Sequence, residues 1–409
     1  MTLEILTLES EKEVDESDLL EHYNFSSPSL FKPFEDHLID FCNDFSKAIF
    51  KDNRIKKFHD IQALAYWLRR SNLMNLKKDF FKSSEGTRTS RGLCFHIAPK
   101  NVETIFIYSW ICSFLVGNKN IVRVSQQQSK NLEILLEIIK KLFRVKVYAN
   151  ISESNLVVNY GHNDKFNSFF SKLADVRAIW GGDQTIQNIQ RFQLRPQGKD
   201  LKFYDRFSMA AINSKEFLAL ELEDRKNLTS RFFSDAYLFD QLACSSPRLA
   251  IFVGEENNNK KAKVDFFQLL KNEIIQRKFK ISTSLLMKKL TFLYKKSAQG
   301  FIKDINFLSN ELIVSEVEDL TNFDRENIGS GIFYVINLKR INELENIVVK
   351  KDQTLSYFGF TKNEIENLVT CLNGRGIDRI VPIGQALQFD VNWDGMNLLE
   401  EFSKRTYFI

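Results

Sequence analysis

Short continuous runs of apolar residues alternate along this chain with longer stretches in which apolar positions recur at helical spacing. Residues 35–82 are mainly helical in pattern. Residues 91–99 then read as a short buried strand, and the apolar run 105–116 predicts a buried helix. After Gly117-Asn118, residues 120–124 have the look of a second strand, while 130–144 set Leu132, Leu135, Leu136, Ile139 and Leu142 on one helical face. Residues 145–148 and 156–159 read as strands. Helical periodicity returns over 166–173, and Val176-Arg177-Ala178-Ile179-Trp180 is a compact strand that stops at Gly181-Gly182-Asp183. Such strand–helix alternation predicts a parallel sheet. Further on, residues 232–242 predict a helix with Phe232, Phe233, Tyr237 and Leu242 on one side, and Leu249, Ile251 and Val253 alternate through the strand that follows. The polar run 255–261 reads as a surface loop, and the stretches 271–280 and 288–296 as helices with solvated basic faces.

With 409 residues, 44% of them hydrophobic and 27% charged, the chain is long enough for two or three domains. The run 105–116 falls well short of the roughly 20 residues a helix needs to cross a bilayer. Acids at Glu4, Glu9, Glu11 and Glu13 replace the basic region of a secretory signal, so a cytoplasmic protein is expected. Five widely separated cysteines (Cys42, Cys94, Cys112, Cys244 and Cys371) suggest neither a disulfide framework nor a metal site. The net charge of +5 divides into −7 over residues 1–21 and +12 over the remainder, which favours anionic ligands. No nucleic-acid module or aromatic–basic signature accompanies that charge, and no nucleic-acid partner is expected.

Two places carry candidate chemistry. Cys244, within Gln241-Leu242-Ala243-Cys244-Ser245-Ser246-Pro247, sits among small and polar residues at a helix–strand junction, where a thiol can serve as a nucleophile or simply fill space as a small hydrophobe. The Gly181-Gly182-Asp183 turn follows a parallel strand. Its glycines can admit a phosphate-bearing cofactor to the backbone, or they can merely form the turn while Asp183 caps a helix over 185–192. No G-x-G-x-x-G fingerprint occurs. His96 reads as a satisfied structural histidine, and Asp205 with Arg206 as a structural pair.

Several motifs occur in order: His96-Ile97-Ala98-Pro99-Lys100-Asn101-Val102, Gly117-Asn118-Lys119-Asn120-Ile121-Val122-Arg123-Val124-Ser125, Ile179-Trp180-Gly181-Gly182-Asp183, Phe203-Tyr204-Asp205-Arg206-Phe207-Ser208, Phe239-Asp240-Gln241-Leu242-Ala243-Cys244-Ser245-Ser246-Pro247, Gly376-Ile377-Asp378-Arg379-Ile380-Val381-Pro382-Ile383-Gly384 and Trp393-Asp394-Gly395. Together, across roughly residues 90 to 409, the chain resembles the LuxC-type acyl-CoA reductases, fatty-acid reductase components and distant members of the aldehyde dehydrogenase superfamily. The resemblance implies an α/β, aldehyde-dehydrogenase-like fold with a Rossmann-type cofactor domain and an α/β catalytic domain. It further implies NADPH-dependent reduction of an acyl thioester to an aldehyde through an acyl-cysteine on Cys244, with NADH as the alternative cofactor. Asn101 matches the amide that stabilises developing oxyanion charge. Arg123 and Ser125 match positions that contact the adenosine ribose or its phosphate, and an arginine fork suits a 2′-phosphate. Gly181, Gly182 and Asp183 match the segment leading into the cofactor-facing helix.

Two departures stand beside these matches, Lys100 for the usual glycine and Glu103 for a common proline. No glutamate stands clearly in the water-activating role of hydrolytic relatives, which accords with thioester reduction. The expected organisation is a helical N-terminal extension over 1–90, a cofactor-binding domain over 91–213, a catalytic domain over 214–373 and a C-terminal segment, 374–409, returning to the cofactor domain or an oligomer contact. Expected partners are an acyl-CoA or acyl-protein thioester donor, an acyl-protein synthetase and further copies of the chain. A noncatalytic subunit that keeps the fold and binds an acyl-protein partner is the alternative reading.

Overall fold

The computed structural model describes residues 3–7, 13, 14, 16, 19, 25, 31–82, 86–99, 104–124, 129–161, 163–317, 323 and 325–408. The chain divides into two compact units, residues 1–205 with 389–409 and residues 206–388.

In the first unit the strands before residue 206 are β1 (Leu3–Ile5), β2 (Glu13–Val14), β3 (Thr87–Ser90), β4 (Leu93–Ile97), β5 (Lys119–Val124), β6 (Asn155–Asn159), β7 (Val176–Trp180) and β8 (Lys199–Phe203). Seven of them form one sheet in the order β2-β1-β6-β5-β4-β7-β8, parallel from β6 to β8, with β1 and β2 added antiparallel at one edge. Strands β4 and β7 are buried along their whole length, His96 and Arg177 included, as strands covered on both faces should be. Helices Asp36–Lys51, Thr104–Leu115 and Lys130–Phe143 contribute to the core on one face, and Asp164–Leu173 to the core on the other.

The helices over 36–82 are part of this unit and not a separate extension. Phe41 lies 5.4 Å from Phe114 and 6.1 Å from Trp110, ring centre to ring centre, so the N-terminal helices and Thr104–Leu115 share one apolar core. Leu398, Leu399 and Phe402 close the same core from the end of the chain, and Ser403–Thr406 pairs with β3.

In the second unit β9 (Phe207–Asn213), β10 (Pro247–Val253), β11 (Asp304–Ser309), β12 (Leu312–Glu316), β13 (Ile332–Leu338), β14 (Asp352–Phe358) and β15 (Arg379–Pro382) form a sheet ordered β11-β12-β13-β10-β9-β14-β15, parallel except for β11 at its edge. The unit begins at 206, not 214, because β9 is an interior strand of this second sheet, between β10 and β14. It extends to 388 because β15 closes the sheet's other edge.

Four local expectations are corrected. Residues 145–148 form a 3-10 turn, Lys146–Tyr148, in which Val147 is 61% exposed and only Tyr148 turns inward, donating to Asp44 Oδ2 at 2.8 Å. Residues 256–261 open the long helix Glu256–Gln276, because the polar run is its solvated face while Asn259 is buried and donates to the carbonyls of Gly254 and Leu338. The helix expected over 232–242 runs over Leu222–Tyr237 and leaves Leu242 43% exposed. Within 288–296, Lys289 and Lys296 are buried, not solvated; Lys289 Nζ donates to the carbonyls of Asn310 and Ser330, and Lys296 pairs with Glu326 at 2.7 Å.

Candidate active site

After Tyr237 the chain leaves the helix through Asp240 and Gln241, both in the left-handed region at φ 50° and 62°. A glutamine held there carries a backbone cost that the surroundings must offset. The Gln241 side chain supplies that compensation: its Nε2 donates to Pro247 O at 2.9 Å and Ile332 O at 3.0 Å, and its Oε1 accepts the Gly331 N–H at 3.0 Å. One buried amide thus ties the turn to the starts of β10 and β13.

Cys244 occupies the second position of the turn Ala243 to Ser246, closed by the Ser246 N–H donating to Ala243 O at 3.0 Å. Ser208, at the start of β9, donates its hydroxyl to Cys244 O at 2.6 Å and accepts the Thr354 N–H at 3.2 Å. The Arg248 guanidinium donates to Arg206 O at 2.6 Å and reaches Ala243 O at 3.4 Å. Ser246 Oγ donates to Asp235 O at 2.9 Å. Cys244 is partly exposed, whereas Cys42, Cys94 and Cys112 are buried, and burial pushes their thiols up, that of Cys94 to about 12. Partial exposure therefore sets Cys244, like Cys371, apart from those three.

Arg206 pairs with Asp378 and donates to Asp352 O, two partners distant in sequence. Sequence reasoning missed Ser208, Gln241 and Arg248 as supports of the cysteine turn, and Lys289, which donates to Ser330 O while the Ser330 N–H donates to Asp240 O at 2.7 Å. Burial pushes the Lys289 ammonium down to about 8.

In the first unit, Arg123 lies near the carboxyl end of β5, its guanidinium 4.7 Å over the Tyr160 ring and donating to Gly161 O at 3.3 Å. Gly181 and Gly182 follow β7, two strands away in the same sheet. A Cβ on Gly181 would come within 3.0 Å of Thr185, whereas nothing lies within 4 Å of one placed on Gly182. Gly182, not Asp183, is the cap of helix Asp183–Gln190, because the helix starts two residues earlier than the periodicity indicated and Asp183 is its first residue. Asn101 and Ser125 lie outside the described residues.

His96 is fully satisfied inside the first unit. Trp180 Nε1 donates to Ser109 Oγ at 2.9 Å, so the Ser109 hydrogen is available to His96 Nδ1 at 2.8 Å. Asn120 Nδ2 donates to Asn118 O and Asn155 Oδ1, so Asn120 Oδ1 accepts from His96 Nε2 at 3.0 Å. This network assigns a neutral imidazole with its proton on Nε2. Burial pushes the ring down to about 4. Among the described residues no group of three or more metal-ligating side chains occurs, and no helix is long and apolar enough to cross a membrane.

The fold is that of aldehyde dehydrogenases. The PnpE structure in complex with nicotinamide adenine dinucleotide matches with a TM-score of 0.67 at 11% identity, over 99% of this chain and 93% of that one. A putative aldehyde dehydrogenase from Burkholderia cenocepacia matches with a TM-score of 0.65 at 10% identity, over 99% and 94%. An indole-3-acetaldehyde dehydrogenase in complex with NAD+ matches with a TM-score of 0.63 at 11% identity, over 99% and 92%. No curated protein matches in sequence. The model of the acyl-CoA reductase (LuxC) family matches residues 68–405, a span containing both sheets' central strands and the Cys244 turn, and the chain belongs to that family.

Proposed function

We propose that this protein reduces an acyl thioester, acyl-CoA or acyl-protein, to the aldehyde in the cytoplasm, with Cys244 as the nucleophile and NADPH as the reductant. The Cys244 thiolate attacks the thioester carbonyl, the bond to the donor sulfur breaks, and the departing thiolate takes a proton, leaving the acyl group on Cys244. Bound reduced nicotinamide supplies the hydride for the second step. The aldehyde then forms as the carbon–sulfur bond to Cys244 breaks and the thiolate is restored. What supports this reading most is the partly exposed Cys244 on a turn held by three buried side chains, within the span matched by the family.

The first unit fits a nicotinamide cofactor. Arg123 Nε is buried with no hydrogen-bond partner among the described residues, and the position of a Cβ on Gly182 is open. Arg123 would hold the 2′-phosphate side of the adenosine with Ser125, and Gly181 and Gly182 would admit the cofactor to the backbone. Asp183, a carboxylate, suits a hydroxyl of the ribose better than a phosphate. Asn101 would hold the developing oxyanion.

The test is loss of NADPH absorbance on addition of short- and long-chain acyl-CoAs, with the aldehyde trapped and Cys244→Ala as control. Turnover that vanishes in the variant is the expected outcome. Turnover that survives it sinks the assignment of the nucleophile, and absence of both turnover and acyl label on Cys244 sinks the reductase reading.

A further inference from the structure

The second sheet has two ends. Cys244 precedes β10 and so lies at the amino end, whereas the loops that leave β9, β10, β13 and β14 gather at the carboxyl end, about 20 Å away along the seven residues of β10. These exits part to opposite faces. After β9 the chain packs Phe217 and Leu228, and after β10 Ala262 and Phe266, into the core on one face. After β13 it packs Ile341 and Leu344, and after β14 Leu368 and Leu372, into the core on the other. β10 neighbours β13 and β9 neighbours β14, so the connections diverge on both sides of the β9–β10 pair. Divergence of this kind opens a crevice outside the carboxyl ends of parallel strands, where open α/β sheets bind their ligands.

A cavity of about 900 Å³ occupies that crevice, within the size range of small-molecule sites. Loops from all four strands line it: Lys215 follows β9, Glu255 follows β10, Lys339 and Arg340 follow β13, and Phe360 follows β14. Two of its carboxylates are already engaged, Glu256 with Lys260 at 2.6 Å and Glu364 with Thr361 in a capping box. The ammonium groups of Lys215 and Lys339 have no ion-pair or hydrogen-bond partner among the described residues, and Arg340 meets only Glu343, at 3.7 Å on the surface. Cations offered from separate loops with their heads uncommitted suit a phosphate. Ile341 and Phe360 add apolar surface, and the side-chain amides of Asn258, Asn342 and Asn367, also without partners among the described residues, each offer a donor and an acceptor to the edge of a heterocycle.

We propose that this cavity binds a nucleoside phosphate, with the phosphate against Lys215, Lys339 and Arg340 and the base against Ile341 and Phe360. Glu255, whose carboxylate is uncommitted as well, accepts from the ribose hydroxyls. The site belongs to the second unit alone and does not depend on the reductase reading.

The experiment photocrosslinks 8-azido-AMP to the full chain and identifies the labelled peptides by mass spectrometry. Label is expected on peptides spanning 339–342 or 360–367. The concentration of AMP, adenosine or inorganic phosphate that halves the label there reads affinity at this site alone, and AMP should compete best. Both lysines are exposed, so Lys215→Gln/Lys339→Gln should keep its thermal unfolding temperature while needing on the order of tenfold more 8-azido-AMP for the same label. Label confined to peptides of the first unit, or an unchanged requirement in the double variant, would overturn the proposal. Adenosine or inorganic phosphate competing as well as AMP would overturn it too, since the phosphate or the base would then contribute nothing.

Discussion

A network of neutral side chains lies inside the first unit, which also buries Arg177 against Asp200, whereas in the second unit a set of buried charges holds irregular backbone. His96, Ser109, Asn120, Asn155, Trp110 and Trp180 form one hydrogen-bonded network of neutral side chains. Its members lie on regular strands and helices whose backbones are already paired. The second unit buries Arg206, Arg248, Lys289, Arg325 and Asp352. Their bonds run largely to irregular backbone: Arg248 to Arg206 O and Ala243 O, Lys289 to Asn310 O and Ser330 O, and Arg325 to Phe323 O and Ile347 O. Where the chain leaves the ladder, carbonyls have no strand partner, and ionised donors make the stronger bonds to them. Charge is thus placed where the fold must hold loops still, including the loop that carries Cys244.

The sharpest way to break this contrast is to unpair one of those charges. Arg325 contacts Asp352 through Nε at 2.6 Å and through its terminal nitrogen at 3.0 Å, and the Asp352 side chain is fully buried. Arg325→Met should cost about 3–5 kcal/mol in chemical unfolding, because it strands a buried carboxylate, and adding Asp352→Asn should recover part of that loss. A cost below about 1 kcal/mol would mean the charges are incidental.

A somewhat smaller effect separates the units by pH. His96 titrates near 4 in the folded protein, below the ordinary value near 6.5, so the folded state binds fewer protons than the unfolded one between those values. Its contribution is complete above pH ~6.5 and is lost as pH falls through 4, a change of about 3 kcal/mol. Asp235 behaves oppositely. Burial lifts its carboxyl to about 7, although the N–H groups of Gly384 and Ala386 and nearby arginines pull it back, so its contribution declines as pH rises between about 4 and 7. All four tryptophans, Trp67, Trp110, Trp180 and Trp393, belong to the first unit. Their fluorescence should therefore report an acid transition that His96→Gln blunts. An identical acid midpoint in that variant would remove His96 as its cause.

The smallest expected effect on stability tests the cofactor edge. Gly182→Ala adds a methyl group where no atom lies within 4 Å, at a backbone φ of −64° that alanine accepts, so stability should move by less than about 0.5 kcal/mol. NADPH affinity, read by fluorescence titration, should nonetheless fall several-fold. Unchanged affinity would take Gly182 out of the site.

Much of the fold was legible because its central strands are short and largely apolar: β4, β5, β7 and β10 stand where the pattern put them. The failures share a cause. Residues 145–148 alternate like a strand yet expose Val145 and Val147, and residues 256–261 look like a loop because only Asn259 of that polar run is buried. Periodicity records polarity, not which polar atoms find distant partners. The same limit hid the support of Cys244. Ser208 is 36 residues from Cys244 in sequence, and Gln241 is 91 from Ile332, so their hydrogen bonds leave no local signature. The residues around Cys244 were visible as a motif, but what they do became visible only as contacts.

The first core is closed by residues from the far end of the chain, and this sets an order of assembly. During synthesis every strand of the second sheet is made before Leu398, Leu399 and Phe402 exist, so the later unit can acquire its complete set of strands while the earlier one still exposes an unfinished apolar face. Removing Leu398, Leu399 and Phe402 would therefore open the first core while sparing every strand of the second sheet.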